Sequence, residues 1–200
     1  MTDDAPGVRT LLRNLDFRSH DVIARTLGVL GCRNLLCLDQ SQDAEHHLRT
    51  EMVDLLVVDT DLGMDEACDL VRRMRRRLCA DNAFAVTVLL TSATQPELST
   101  YLLNSGADVV LAKPVDPVMV AGRITALIRQ RRSFVVAGDY LGPDRRTRGR
   151  RPAEPSVPRI PVPNPLREMS ISSMSRDELR ERIRVSWVAL DECWVDHRAA

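Results

Sequence analysis

The stretch LAKPVD, residues 111–116, holds the only lysine of a 200-residue chain; the other 27 of its 28 cationic residues are arginine. Lysine offers a compact, mobile point charge, whereas arginine offers a planar fork. Lys113 closes an apolar run, DVVLA (108–112), and two other polar residues close apolar runs in the same way. Asp59 ends VDLLVVD (53–59) and Thr91 ends FAVTVLLT (84–91). A carboxylate, a hydroxyl and an ammonium delivered to one edge form a set that can handle a phosphoryl group. The aspartate oxygen attacks phosphorus, the ammonium meets phosphoryl oxygens, and the hydroxyl donates to another. Further carboxylates lie close in sequence: Asp61 just beyond Asp59, and Asp16 just beyond the first apolar run, VRTLLRN (8–14).

These residues share an edge only if the runs that carry them are parallel strands. The pattern predicts this. Strand-like runs at 8–14, 34–38, 53–59, 84–91 and 108–112 alternate with helical periodicity at 20–31, from Ser41, at 65–78, from Pro96 to Gly106, and from Pro117 to about Arg132. Continuous apolar strands joined through helices predict a doubly wound α/β fold, a five-stranded parallel sheet covered on both faces. In such a sheet ligands sit beyond the carboxyl ends of the strands, where Asp59, Thr91 and Lys113 fall.

VDLLVVDTDLG, VTVLLTSA and GADVVLAKPVDP, with the spacing between them, resemble the receiver domain of two-component response regulators, the CheY-like flavodoxin-type fold, over roughly residues 8–130. The resemblance implies that Asp59 accepts a phosphoryl group from a histidine kinase or phosphotransfer protein. Thr91 and Lys113 would contact the phosphate, and Mg²⁺ would bridge carboxylate and phosphate. The chain departs from the family where receivers present two adjacent acids after the first strand. Here the sequence reads RNLDFRSHD: one register places Asn14 and Leu15 there, the other keeps only Asp16. Either way one carboxylate is missing, and Asp61 is the candidate replacement, giving Asp59, Asp16 and Asp61 as the metal set. Gly63 stands where the family has proline, and Val110 where many receivers carry an aromatic switch residue.

The remaining features bound the function. Formal net charge is zero, which points to no polyanionic partner. No long apolar run or signal sequence is present, so a cytoplasmic protein without membrane contact is expected. Five cysteines without a CxxC pair suit reduced thiols. Residues 133–170 hold seven of the eleven prolines and the run RRTRGRR, which predicts a Pro/Arg-rich linker or wrapping segment. Beyond it SRDELRERIRVSWVALDECWVDHR opens with a Ser175–Glu178 capping box and reads as one helix. Leu179, Ile183, Trp187, Leu190 and Trp194 form one apolar stripe on it. That stripe docks on the same domain, self-associates, or meets a partner through Trp187 and Trp194. The expected organisation is a receiver-like domain (1–132), a linker (133–174) and an amphipathic helix (175–197). The expectation is a non-enzymatic, stand-alone signalling protein acting on a protein target without a DNA-binding output domain. The alternatives are a phosphorylation-independent pseudo-receiver serving as an adaptor and, behind it, an RNA binder using the arginine tail.

Overall fold

The protein is described from a computed structural model covering residues 7–13, 15–32, 34–61, 63–76, 80–145, 158–171 and 174–199, with the side chains of Ser41, Ala80 and 194–199 left aside. Five strands, β1 (Arg9–Arg13), β2 (Asn34–Leu38), β3 (Leu55–Asp59), β4 (Val86–Thr91) and β5 (Val109–Ala112), form a parallel sheet in the order β2-β1-β3-β4-β5. Between them run α1 (Phe17–Val29), α2 (Ser41–Thr50), α3 (Met64–Arg75) and α4 (Pro96–Leu103), and α5 (Pro117–Arg129) follows β5. The predicted doubly wound α/β fold is what the chain adopts.

The two-residue period of the strands sorts their side chains into two cores. Leu11, Leu56, Val58 and Leu89 pack with α2, α3 and α4 on one face. Leu12, Leu55, Val57, Val88 and Leu90 pack with α1 and α5 on the other. Because β3 and β4 are buried along their whole length, they read in sequence as unbroken apolar runs.

Helix ends depart from expectation where capping decides them. α1 begins at Phe17, ahead of the periodic residues, because Asp16 accepts from the amides of Arg18 and Ser19, both at 3.0 Å. α2 is capped by Gln40 without a side-chain bond, one residue before the expected Ser41.

After α5 the chain is more ordered than an open linker. β6 (Phe134–Ala137), β7 (Tyr140–Pro143) and β8 (Arg159–Ile160) form a second, antiparallel sheet, followed by α6 (Pro165–Ile171) and α7 (Arg176–Ala199). Phe134, Val136, Leu141 and Ile160 build a third core with Phe84 and with Leu179, Ile183 and Leu190 of α7. The predicted capping box is present: the Ser175 amide donates to Glu178 Oε2 at 2.8 Å, and the Glu178 amide donates to Ser175 Oγ at 3.2 Å. Trp187, expected as a partner-binding residue, packs within the chain, its ring 6.1 Å from that of Phe84. The side chain of Trp194 and the run 146–151 lie outside the described residues.

Two buried arginines join this annex to the sheet through the Phe134 ring and the Pro163 carbonyl. Arg75, within the arginine run that closes α3, is fully buried. Its guanidinium donates to the carbonyls of Gly106, Ala83 and Ala85, to Thr87 Oγ1, and to Asp108 Oδ2 at 3.0 Å. Arg131 reaches both oxygens of Asp108, at 2.9 and 3.0 Å, and the two guanidiniums flank the Phe134 ring at 5.1 and 4.9 Å. Gly106 (φ +101°) and Gly142 are in contact, and a Cβ at Gly106 would meet the Leu141 carbonyl at 2.8 Å. The hairpin's close approach to the α4–β5 turn therefore requires glycine there.

Candidate functional site

At the carboxyl edge of the sheet the strand ends deliver Asp59, Thr91 and Lys113. The register places Thr91 opposite Ala112, one residue before Lys113, and Leu90 opposite Asp59. The Lys113 amide donates to the Thr91 carbonyl at 2.8 Å, tying the hydroxyl and lysine strands at their tips. Asp59 and Thr91 are almost wholly buried, 2% and 1% exposed.

Three carboxylates meet one ammonium. Lys113 Nζ contacts Asp59 Oδ2 directly and lies 3.0 Å from both Asp61 Oδ2 and Asp16 Oδ2. The other Asp59 oxygen accepts the Asp61 amide at 3.0 Å, which fixes the β3 tip. Asp61 is held in turn by Ser92, whose amide donates to Oδ1 at 2.8 Å and whose hydroxyl donates to Oδ2 at 2.6 Å. Ser19 Oγ donates to Asp16 Oδ2 at 2.7 Å. Thr91 Oγ1 accepts from the Ala93 amide at 3.0 Å.

The electrostatics follow from these partners. The Ser19 hydroxyl and amide, with Lys113 behind them, hold the Asp16 carboxyl well below the usual carboxylate range. Burial pulls Asp61 upward, but the Ser92 hydroxyl and amide together with Lys113 outweigh it and leave it lowered. Burial also disfavours the Lys113 charge; bonds to Asp59, Asp61 and Asp16 overcome that and push it above the ordinary lysine value.

The structure thus brings Asp59, Thr91, Lys113, Asp16 and Asp61 to one rim. Of the two registers considered for the first strand, the one that keeps Asp16 places a carboxylate at Lys113; Asn14 lies outside the described residues. Ser92 is a site residue that sequence reasoning passed over, although its position directly after Thr91 at the same strand end was visible. The buried acids Asp54 and Asp108 were missed as well. Each stands just before an apolar strand, an uncommon place for a carboxylate, and that was their signal. A groove of about 1010 Å³ lies elsewhere, between α5, α6 and α7, and contains none of these residues. Among the described residues no group of three or more His, Cys, Asp or Glu is preformed as a metal site. No described helix is long and apolar enough to cross a membrane.

Comparison with solved structures agrees on the architecture. A response regulator from Thermotoga maritima superposes with a TM-score of 0.53 at 21% identity, covering 62% of this chain and 99% of that one. The chemotaxis response regulator CheY4 of Vibrio cholerae gives 0.52 at 18% identity, covering 60% and 97%. A protein described as an atypical orphan response regulator with a phosphorylation-independent regulatory mechanism gives 0.51 at 22% identity, covering 60% and 93%. The sequence matches no protein-family model. It matches no curated protein. The chain therefore carries the CheY-like receiver fold, with the second sheet and α7 added to it.

Proposed function

We propose that the chain is a receiver module for signalling, in which Asp59 accepts a phosphoryl group from a phosphohistidine of a histidine kinase or phosphotransfer protein. The module then acts in the cytoplasm through contacts with a protein target rather than through catalytic turnover. The observation that carries this reading is the meeting of Asp59, Thr91 and Lys113 at one rim of a receiver-type sheet.

An Asp59 oxygen forms the new P–O bond as the P–N bond to the donor imidazole breaks, and the imidazole keeps the electron pair. Lys113 then meets a phosphoryl oxygen in place of a carboxylate. Thr91, whose oxygen already accepts from Ala93, has its hydroxyl hydrogen to give to another. Mg²⁺, when bound, would offset phosphate charge beside the carboxylates. Asp16, Asp59 and Asp61 are hard oxygen donors and match it in kind, but they face the Lys113 ammonium and are not placed as a ready metal site among the described residues. These three residues would hold the ion.

A specific observation favours a second reading. The three carboxylates already have a cation in Lys113, so the site is electrostatically served without phosphate or metal, as an adaptor independent of phosphorylation would need. Incubation with Mg²⁺ and acetyl phosphate separates the two. A labile, mass-shifted adduct that is lost in D59N supports the phosphoacceptor. No adduct on a folded protein supports the adaptor.

A further inference from the structure

α7 buries one stripe and exposes another. Leu179, Ile183 and Leu190 close the third core, whereas Val185 and Val188, on the opposite side of the helix, are 63% and 52% exposed, with Ala189 exposed beside them. Glu181, four residues before Val185, and Glu192, four after Val188, extend the same outward face. Charge is divided along the helix as well. Residues 176–184 hold four arginines against three acids, while 185–193 hold Asp191 and Glu192 and no cation. Val185 stands at the edge of the groove of about 1010 Å³ between α5, α6 and α7, where Pro161, Val162 and Met174 meet Arg129 and Arg167. Arg182 and Arg184 are engaged within the chain, by Glu168 at 3.4 Å and Glu181 at 3.0 Å. Among the described residues Arg129, Arg167 and Glu192 have no ion-pair partner.

We propose that a second copy of the chain covers this face: two α7 helices pair antiparallel across a two-fold axis, each laying its acidic half over the other's basic groove. The charge order selects this direction. A parallel pair would set Asp191 and Glu192 against the same residues of the second copy, like charge on like. Reversal brings Val185 of one copy to Val188 and Ala189 of the other, and carries Glu192 back to the groove that holds Arg129 and Arg167. The two-fold axis makes every contact twice. A free acidic peptide would satisfy Arg129 and Arg167 but leave Val188 and Ala189 bare, whereas a second copy covers both. The contact spans about two turns of helix, small for a permanent assembly, so the dimer forms at micromolar concentrations and separates on dilution. It requires no phosphoryl group and stands apart from the phosphoacceptor reading.

The test is sedimentation equilibrium of the full chain over the micromolar range, where monomer should pass to dimer. V188D places a charge in the middle of the contact and should weaken dimerisation at least about tenfold with circular dichroism unchanged. R167E and E192R should each weaken it to a similar degree, because each sets like charges together on both sides of the axis. An equimolar mixture of R167E and E192R should recover the dimer, since both contacts of the mixed pair are complementary again. Should V188D not fold, that mixture decides alone, because Arg167 and Glu192 are exposed. Wild type that stays monomeric up to about 200 µM overturns the proposal, and its binding of a glutamate-rich peptide would then assign the groove to an acidic segment of another protein. A dimer that V188D leaves intact overturns it too, as does a mixture of the two charge variants that fails to recover.

Discussion

Arg176 and Asp54 are 122 residues apart in sequence, and the Arg176 guanidinium lies 3.1 Å from Asp54 Oδ2 in the folded chain. Arg176 opens α7, and Asp54 stands immediately before β3, the strand that ends in Asp59. Asp54 also accepts the Arg9 amide at 2.8 Å, and Arg176 donates to the Gly7 carbonyl at 2.6 Å. The start of α7 is thereby anchored at the edge of the sheet opposite the acids that meet Lys113. Burial raises the Asp54 pKa despite the Arg176 guanidinium and the amide and charge of Arg9, whereas Asp108, served by both Arg131 and Arg75, is lowered against the same burial.

R176M is therefore expected to destabilise the protein by about 3–5 kcal/mol near neutral pH, because it leaves a buried carboxylate without its partner. The pH dependence has a definite sign. A carboxyl whose folded pKa is raised favours the folded state below its unfolded value and loses that contribution as pH rises through the folded value. The raised Asp54 pKa places that loss above the ordinary carboxylate range. Acidification lets Asp54 take a proton, so the R176M deficit should shrink between pH 7.5 and pH 4.5. Urea denaturation at the two pH values measures it.

Asp16 and Asp61 behave in the opposite sense. Their pKa values are lowered, so their contribution is present above the unfolded carboxylate range and is lost as pH falls through the depressed folded values. Lys113, whose pKa is raised, contributes below the ordinary lysine value and loses that contribution only as pH rises beyond it. Stability from this cluster should be level across neutral pH and fall in acid. D16A, which also removes the α1 cap, should cost about 1 kcal/mol at pH 7. D16N retains a capping oxygen and should cost less, as thermal denaturation of the two variants will show.

K113R should cut the yield of phosphorylated Asp59 at least tenfold in acetyl phosphate. A rigid fork does not reproduce a single nitrogen bonded to three separate carboxylates. T91A should leave the fold intact and slow adduct formation, since the hydroxyl's described bond is a local one to Ala93. Intact-mass spectrometry over time reads both variants.

F134A should cost about 3–5 kcal/mol. The ring is fully buried, makes an edge contact with Phe84 at 5.6 Å, and is flanked by Arg75 and Arg131. G106A should lose more than about 1 kcal/mol, because a Cβ is strained at φ +101° and would press on the hairpin backbone. Chemical denaturation of each variant measures these losses.

The sheet and its carboxyl edge were legible because both rest on local signals. Apolar runs ending in Asp59, Thr91 and Lys113, with helices between them, leave few topologies open. The start of α1 was less legible, since its periodicity begins after the residue that caps it. The annex was hidden for a different reason. Its proline and arginine content looks like a solvated linker, yet Phe134, Leu141 and Ile160 are spaced too sparsely to give a periodic pattern and are buried only because α7 returns over them. Arg75 sits in the run RRMRRR beside Arg72 and Arg73, which are partly exposed, and Arg76, which is exposed. Only the third dimension distinguishes it from its neighbours.

The guanidinium clasp around Phe134 changes how this molecule can be dissected. A fragment cut after Arg132 would keep the five-stranded sheet but lose the aromatic ring between Arg75 and Arg131 and the lid that α7 places over Phe84. Such a shortened protein would expose a charged, half-dismantled underside. Its solubility and its reactivity at Asp59 would then report that injury as much as any property of the receiver fold.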